Sequence, residues 1–114
     1  MRWVLMMVAM ASSAHAQEFV PREKDVIFDA AGLREAVVGQ SHEFYDGGVS
    51  FFSLSGDYSY TYAGGGTAFG TFELAEDGVV CMSFQTGASR CDMYVQGTSG
   101  LVLITEAGDR FPVR

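Results

Sequence analysis

From His42 to the C-terminus, apolar and polar residues alternate in short runs, and glycine-containing turns cut the runs about every 8–12 residues. Eight runs carry this pattern: His42–Asp46, Val49–Leu54, Tyr58–Tyr62, Thr67–Leu74, Val79–Phe84, Ser89–Val95, Leu101–Thr105 and Arg110–Val113. A period of two puts alternate side chains on opposite faces, the mark of a strand with one face buried. The interruptions, among them Asp46-Gly47-Gly48, Ser55-Gly56-Asp57, Asp77-Gly78 and Gly108-Asp109, are rich in residues that accept positive φ and so close hairpins. No interval between runs is long enough for the crossover that parallel strands need. The pattern predicts a mainly β protein, an antiparallel up-and-down meander forming a small, about eight-stranded barrel or half-barrel. Pro112 has no N–H to offer a neighbour and suits a terminal edge strand.

One segment breaks the two-residue period. Within 29–38, Ala30, Leu33 and Val37 fall on one helical face, with Arg34 and Glu35 turned away. Asp29 can cap the start, and Gly39 can take the left-handed conformation that ends a helix. So short a helix is stable only when docked. Residues 29–114 therefore read as a single domain, preceded by a polar, loose N-terminal arm over 17–28. Ahead of the arm, Met1-Arg2 is basic, Trp3 to Ala11 is apolar, and Ala14-His15-Ala16 has the small-x-small pattern that signal peptidase cuts. Residues 1–16 are expected to be a signal peptide cleaved between Ala16 and Gln17, and the protein to be exported, periplasmic or secreted. An apolar run of about nine residues is too short for a membrane span, which needs roughly twenty. Gln17, in place of a cysteine, gives no site for a lipid anchor.

Cys81 and Cys91 are the only cysteines, and in an oxidising compartment an even count reads as a disulfide. If Gln85-Thr86-Gly87 is a three-residue hairpin loop with Gly87 left-handed, Met82 faces Arg90 and Cys81 falls directly opposite Cys91. Counting from the closing pair makes that position a non-hydrogen-bonded one, where side chains approach most closely. The same register puts Val79, Cys81, Cys91, Met93 and Val95 on one face, which reads as core. Val80, Met82, Phe84 and Tyr94 share the opposite face with Arg90 and Asp92. Either the short helix docks on that second face, or Met82, Phe84 and Tyr94 are an exposed partner surface.

Loss of the leader removes Arg2 and none of the fourteen acidic residues, leaving a net charge of −8 on the mature chain. Such a chain has no electrostatic reason to seek nucleic acid. Its acidity serves solubility or attracts a basic protein, and the acidic turn residues Asp46, Asp57, Glu76, Asp77, Glu106 and Asp109 are the candidate partner surface. Tyr58, Tyr60 and Tyr62 stand on one face of one strand, either as the aromatic wall of a small-ligand site or as filling for a small barrel. His42 is the only histidine after processing, and Glu43 beside it points to the other face of the strand, so no metal site is expected. Gly64-Gly65-Gly66 lacks the lysine and helix start of a phosphate loop. No catalytic set is present in the sequence, and no cofactor is implied.

Three segments carry a family resemblance: Val38-Gly39-Gln40-Ser41, Phe51-Phe52-Ser53-Leu54-Ser55-Gly56-Asp57-Tyr58-Ser59-Tyr60, and Gly70-Thr71-Phe72-Glu73-Leu74-Ala75-Glu76-Asp77-Gly78. Over about residues 38–84 the chain resembles small lipocalin-like exported β-barrel proteins. That resemblance implies a barrel fold and, by extension, a carrier of a small apolar or aromatic ligand. In size, acidic charge and single disulfide the chain is also similar to small periplasmic eight-stranded barrels that inhibit lysozyme. This likeness implies action by binding a basic protein.

Overall fold

The computed structural model describes residues 19–114. The expected signal peptide and its cleavage point at Ala16 and Gln17 lie outside the described residues. The elements run β1 (Val26–Ile27), α1 (Ala30–Val37), β2 (Gln40–Glu43), β3 (Val49–Phe52), β4 (Asp57–Thr61), β5 (Thr67–Leu74), β6 (Val79–Phe84), β7 (Ser89–Gly97), β8 (Gly100–Thr105) and β9 (Arg110–Pro112). Strands β2 to β9 pair in sequence order, each antiparallel to the next, so the fold is an eight-stranded up-and-down half-barrel. Its two edges touch at one bridge, Phe44 to Val113, beside which the Arg114 N–H donates to the Glu43 carbonyl at 2.8 Å. Strand β2, expected over 42–46, starts earlier, at Gln40, and ends earlier, at Glu43, because Phe44 and Gly48 close the turn that contains Tyr45 and Asp46.

The concave face holds the main core. Phe44, Phe52, Tyr58, Val80, Met82, Tyr94 and Leu103 are buried there together with Leu33 and Val37 of α1. The helix therefore docks on the face that carries Val80 and Tyr94. Met82 and Tyr94 are buried, and Phe84 packs against the same cluster. This overturns the exposed-surface alternative for Met82, Phe84 and Tyr94. The face carrying Val79, Met93 and Val95 is the convex one; with Val102 and Ile104 it forms a smaller cluster, against which Phe19 packs. Both faces of β6 and β7 are apolar, so alternation alone could not tell which one curves inward.

In α1, Asp29 accepts the Gly32 N–H at 2.8 Å, the capping bond that the sequence suggests. The helix ends at Val38, whose extended backbone (φ −75°, ψ 129°) still donates its N–H to the Arg34 carbonyl, and Gly39, at φ 78°, then turns the chain into β2 with its N–H donating to the Phe52 carbonyl. Leu33 and Val37 are buried with Ala36 half-buried beside them, whereas Ala30 in the first turn is exposed. Burying a Leu and a Val side chain contributes roughly 1.5–3 kcal/mol each, which a two-turn helix needs.

The segment before the helix is tied down rather than loose. Strand β1 pairs with β7 through Ile27 and Val95, in line with β6 and just beyond its end. Asp25 takes a two-point contact from Arg110 of β9, at 2.8 and 3.1 Å, and accepts the Arg22 N–H at 2.7 Å. The guanidinium holds the Asp25 carboxyl below its ordinary range.

The disulfide joins Cys81 and Cys91 across β6 and β7, which face each other in the register that the hairpin count predicts. Gly87, at φ 97°, supplies the left-handed residue of the loop.

Candidate functional site: the mouth of the half-barrel

A meander sends its turns alternately to two ends. At one end, the turns at 53–56, 75–78 and 98–99 lie, and α1 closes the interior. At the other end are the turns at 45–48, 62–66, 85–88 and 106–109. Here the interior stays partly open, as a cavity of about 260 Å³.

Strand β4 supplies one wall. Tyr58 is buried at the floor, Tyr60 is half-buried, and Tyr62 is exposed at the rim. All three line the cavity, so the structure brings the predicted tyrosine row together at one site. The space opens around Tyr60, whose cross-strand neighbours Ser50 and Ala68 are small, whereas Tyr58 lies between Gly70 and the buried ring of Phe52. Tyr58 and Phe84 both pair with Gly70, and their rings meet edge-to-face at 5.9 Å. Gly48 is needed for a close approach, since a Cβ there would overlap the Tyr60 hydroxyl. The Tyr60 and Tyr62 rings stand perpendicular to each other, 4.9 Å apart.

The polar groups converge at the floor. The Tyr58 and Ser50 hydroxyls are 2.9 Å apart. Burial pushes the Tyr58 phenol up to about 12, and burial followed by the nearby Asp46 charge raises that of Tyr60. Both phenols therefore remain protonated at neutral pH and can donate. From β7, Arg90 Nη2 donates to Asp92 Oδ1 at 2.6 Å. The Arg90 side chain is 51% exposed and that of Asp92 only 5%. Burial pushes the Asp92 carboxyl upward, against the pull of Arg90. Among the described residues, Arg90 is the only donor that reaches this carboxylate.

The other predicted site residues are dispersed, although Phe84 joins the cavity lining. Asp46 lines the cavity, and Glu106 and Asp109 occupy a turn at the same end. Asp57, Glu76 and Asp77 sit at or beside the turns of the helix end, so the acidic turns divide evenly between the two ends instead of gathering at one. The disulfide packs against the convex cluster, outside the cavity. His42 is buried below the floor, its Nε2 3.0 Å from the Ala36 carbonyl and its Nδ1 3.3 Å from the Tyr94 hydroxyl. A carbonyl can only accept, so Nε2 carries the proton, and Nδ1 accepts from Tyr94. The imidazole is a neutral tether between α1 and the sheet. Among the described residues, no cluster of three His, Cys, Asp or Glu side chains could hold a metal ion, and no helix is long and apolar enough to cross a membrane.

Ser50, Arg90, Asp92 and Phe111 also line this site, although no sequence motif marks them. The available signal was Arg90 and Asp92 on an otherwise apolar face, a conflict that a polar cavity resolves. A second hollow, of about 510 Å³, lies between the arm and the β7–β8 turn, but its Asp25 and Arg110 are already paired with each other. No protein-family model, curated protein or solved structure matches this chain.

Proposed function

We propose that this is an exported protein that acts by binding, without catalysis, and that its site is the tyrosine-walled mouth of the half-barrel. The observation that carries this reading is the cavity itself, lined from floor to rim by Tyr58, Tyr60 and Tyr62 and floored by hydroxyls and a paired carboxylate. Apolar walls with a few convergent polar groups are the ordinary make-up of a small-ligand site. A cavity of roughly 150 Å³ accepts a benzene ring. At about 260 Å³, this one has room for a single ring with a short substituent. A lipocalin-like carrier role is therefore proposed here in reduced form, for a one-ring ligand. Export is supported by the Cys81–Cys91 disulfide, which persists in oxidising compartments.

A second reading, inhibition of a basic enzyme such as lysozyme, draws support from Asp46, Glu106 and Asp109 at the same mouth. The two readings separate in one experiment. Ligand-observed NMR on the purified protein, with a panel of one-ring aromatic compounds, should detect binding that Tyr60→Ala abolishes. Absence of binding by the whole panel, alongside saturable, salt-sensitive binding of lysozyme, would favour the inhibitor.

A further inference from the structure

We propose that the ligand presents a cationic nitrogen, an ammonium or a guanidinium, to the Asp92 carboxylate at the floor of the mouth. This inference rests on the reading of the mouth as a ligand site and names the chemistry of what enters it. Asp92 is 3% exposed, yet its side chain lines the cavity, and only Arg90 serves one of its oxygens. An ionised carboxylate offers about four acceptor positions, and a buried one left short of donors costs free energy. An entering N–H group relieves that shortage.

The surrounding charges choose the sign. Two carboxylates, Asp46 and Asp92, line the cavity against the single guanidinium of Arg90, and Glu106 lies near enough to Asp92 to repel added negative charge. Arg90 is half exposed and already paired with Asp92, so its pull on an anion is offset at short range. A bound anion would crowd Asp46 and Asp92, whereas a bound cation meets them. The perpendicular Tyr60 and Tyr62 rings add aromatic surface, which attracts cations. The size of the cavity admits an arylalkylamine. It equally admits the end of a lysine or arginine side chain from a basic protein, which carries the same chemistry.

Calorimetric titration of the purified protein with three probes of one shape tests the proposal: 2-phenylethylamine, 2-phenylethanol and phenylacetate, at pH 7 and low salt. The amine should bind at least tenfold more tightly than the alcohol, and phenylacetate should bind most weakly. Asp92→Asn should bring the amine down to the affinity of the alcohol. Because that variant leaves Arg90 unpaired, the double variant Arg90→Gln/Asp92→Asn, which removes both charges, should lose the same preference. Alcohol or phenylacetate binding as tightly as the amine would overturn the cation assignment and leave the mouth as a site. Survival of the preference in the double variant would do the same. No binding by any probe, the neutral one included, would overturn the site itself. A competition arm distinguishes the sources. Lysozyme binding that 2-phenylethylamine displaces supports a protein-borne cation, and amine binding that lysozyme leaves unchanged supports a free small molecule.

Discussion

Acid should loosen the clasp between α1 and the sheet through His42. The buried imidazole donates to the Ala36 carbonyl and accepts from Tyr94, and protonation would place a positive charge in the core and remove the acceptor. Burial holds its pKa below the ordinary 6.5, opposed by the Ala36 bond. Between the ordinary value and the lowered one, the unfolded chain binds the proton that the folded chain refuses. The stability linked to His42 is therefore complete above about pH 6.5 and declines as pH falls. The decline is at most about 1.4 kcal/mol per pH unit and stops once the pH falls below the lowered pKa. A small domain holds only about 5–15 kcal/mol, so the loss is measurable. Urea unfolding followed by tyrosine fluorescence or circular dichroism at pH 7, 6 and 5 would read it, with His42→Gln as the comparison. The glutamine amide can still donate to Ala36 but cannot titrate. The variant should be roughly 1–3 kcal/mol less stable at pH 7, and the two curves should converge toward pH 5. Asp92 works with the opposite sign, because protonation relieves its burial, but it is common to both proteins and cancels in the difference. Parallel curves would mean that His42 does not titrate differently in the folded and unfolded chain.

Four further outcomes follow from named contacts. Replacing Cys81 and Cys91 together by serine frees a loop spanning a sequence separation of 10 and should cost about 2–3 kcal/mol in urea unfolding, without altering ligand binding at the mouth. Leu33→Ala, at a fully buried position, should cost about 2–5 kcal/mol and expose the helix end to hydrogen exchange. Gly48→Ala should force the Tyr60 phenol from its place; affinity for a one-ring ligand should fall about tenfold or more while the fold, by circular dichroism, is retained. N-terminal sequencing of the exported protein should begin at Gln17, and a retained Met1 would contradict the export reading.

The strand pattern was readable because each turn announces itself with glycine and strands such as β3 to β5 alternate, and the Cys81–Cys91 register followed from placing Gly87 in the hairpin loop. The inner and outer faces of β6 and β7 were not readable, because Val79 and Val80, Met82 and Met93 are equally apolar, and curvature decides which of them face the core. The anchoring of the arm escaped for a related reason. The pair formed by Asp25 and Arg110 joins the two extremes of the domain, and no local spacing brings them together. The tyrosine row was visible in β4, but Asp92 could be recognised as a floor group only once the opposite strands had closed around it.

The most direct test of the central claim is chemical-shift mapping of the isotopically labelled protein during titration with 2-phenylethylamine. Binding at the mouth should give saturable shifts confined to Ser50, Tyr58, Tyr60, Tyr62, Arg90 and Asp92, with the Asp25–Arg110 hollow and the convex Val95–Ile104 cluster undisturbed. Shifts centred on either of those two regions, or no saturable shift at the tyrosine row, would contradict it.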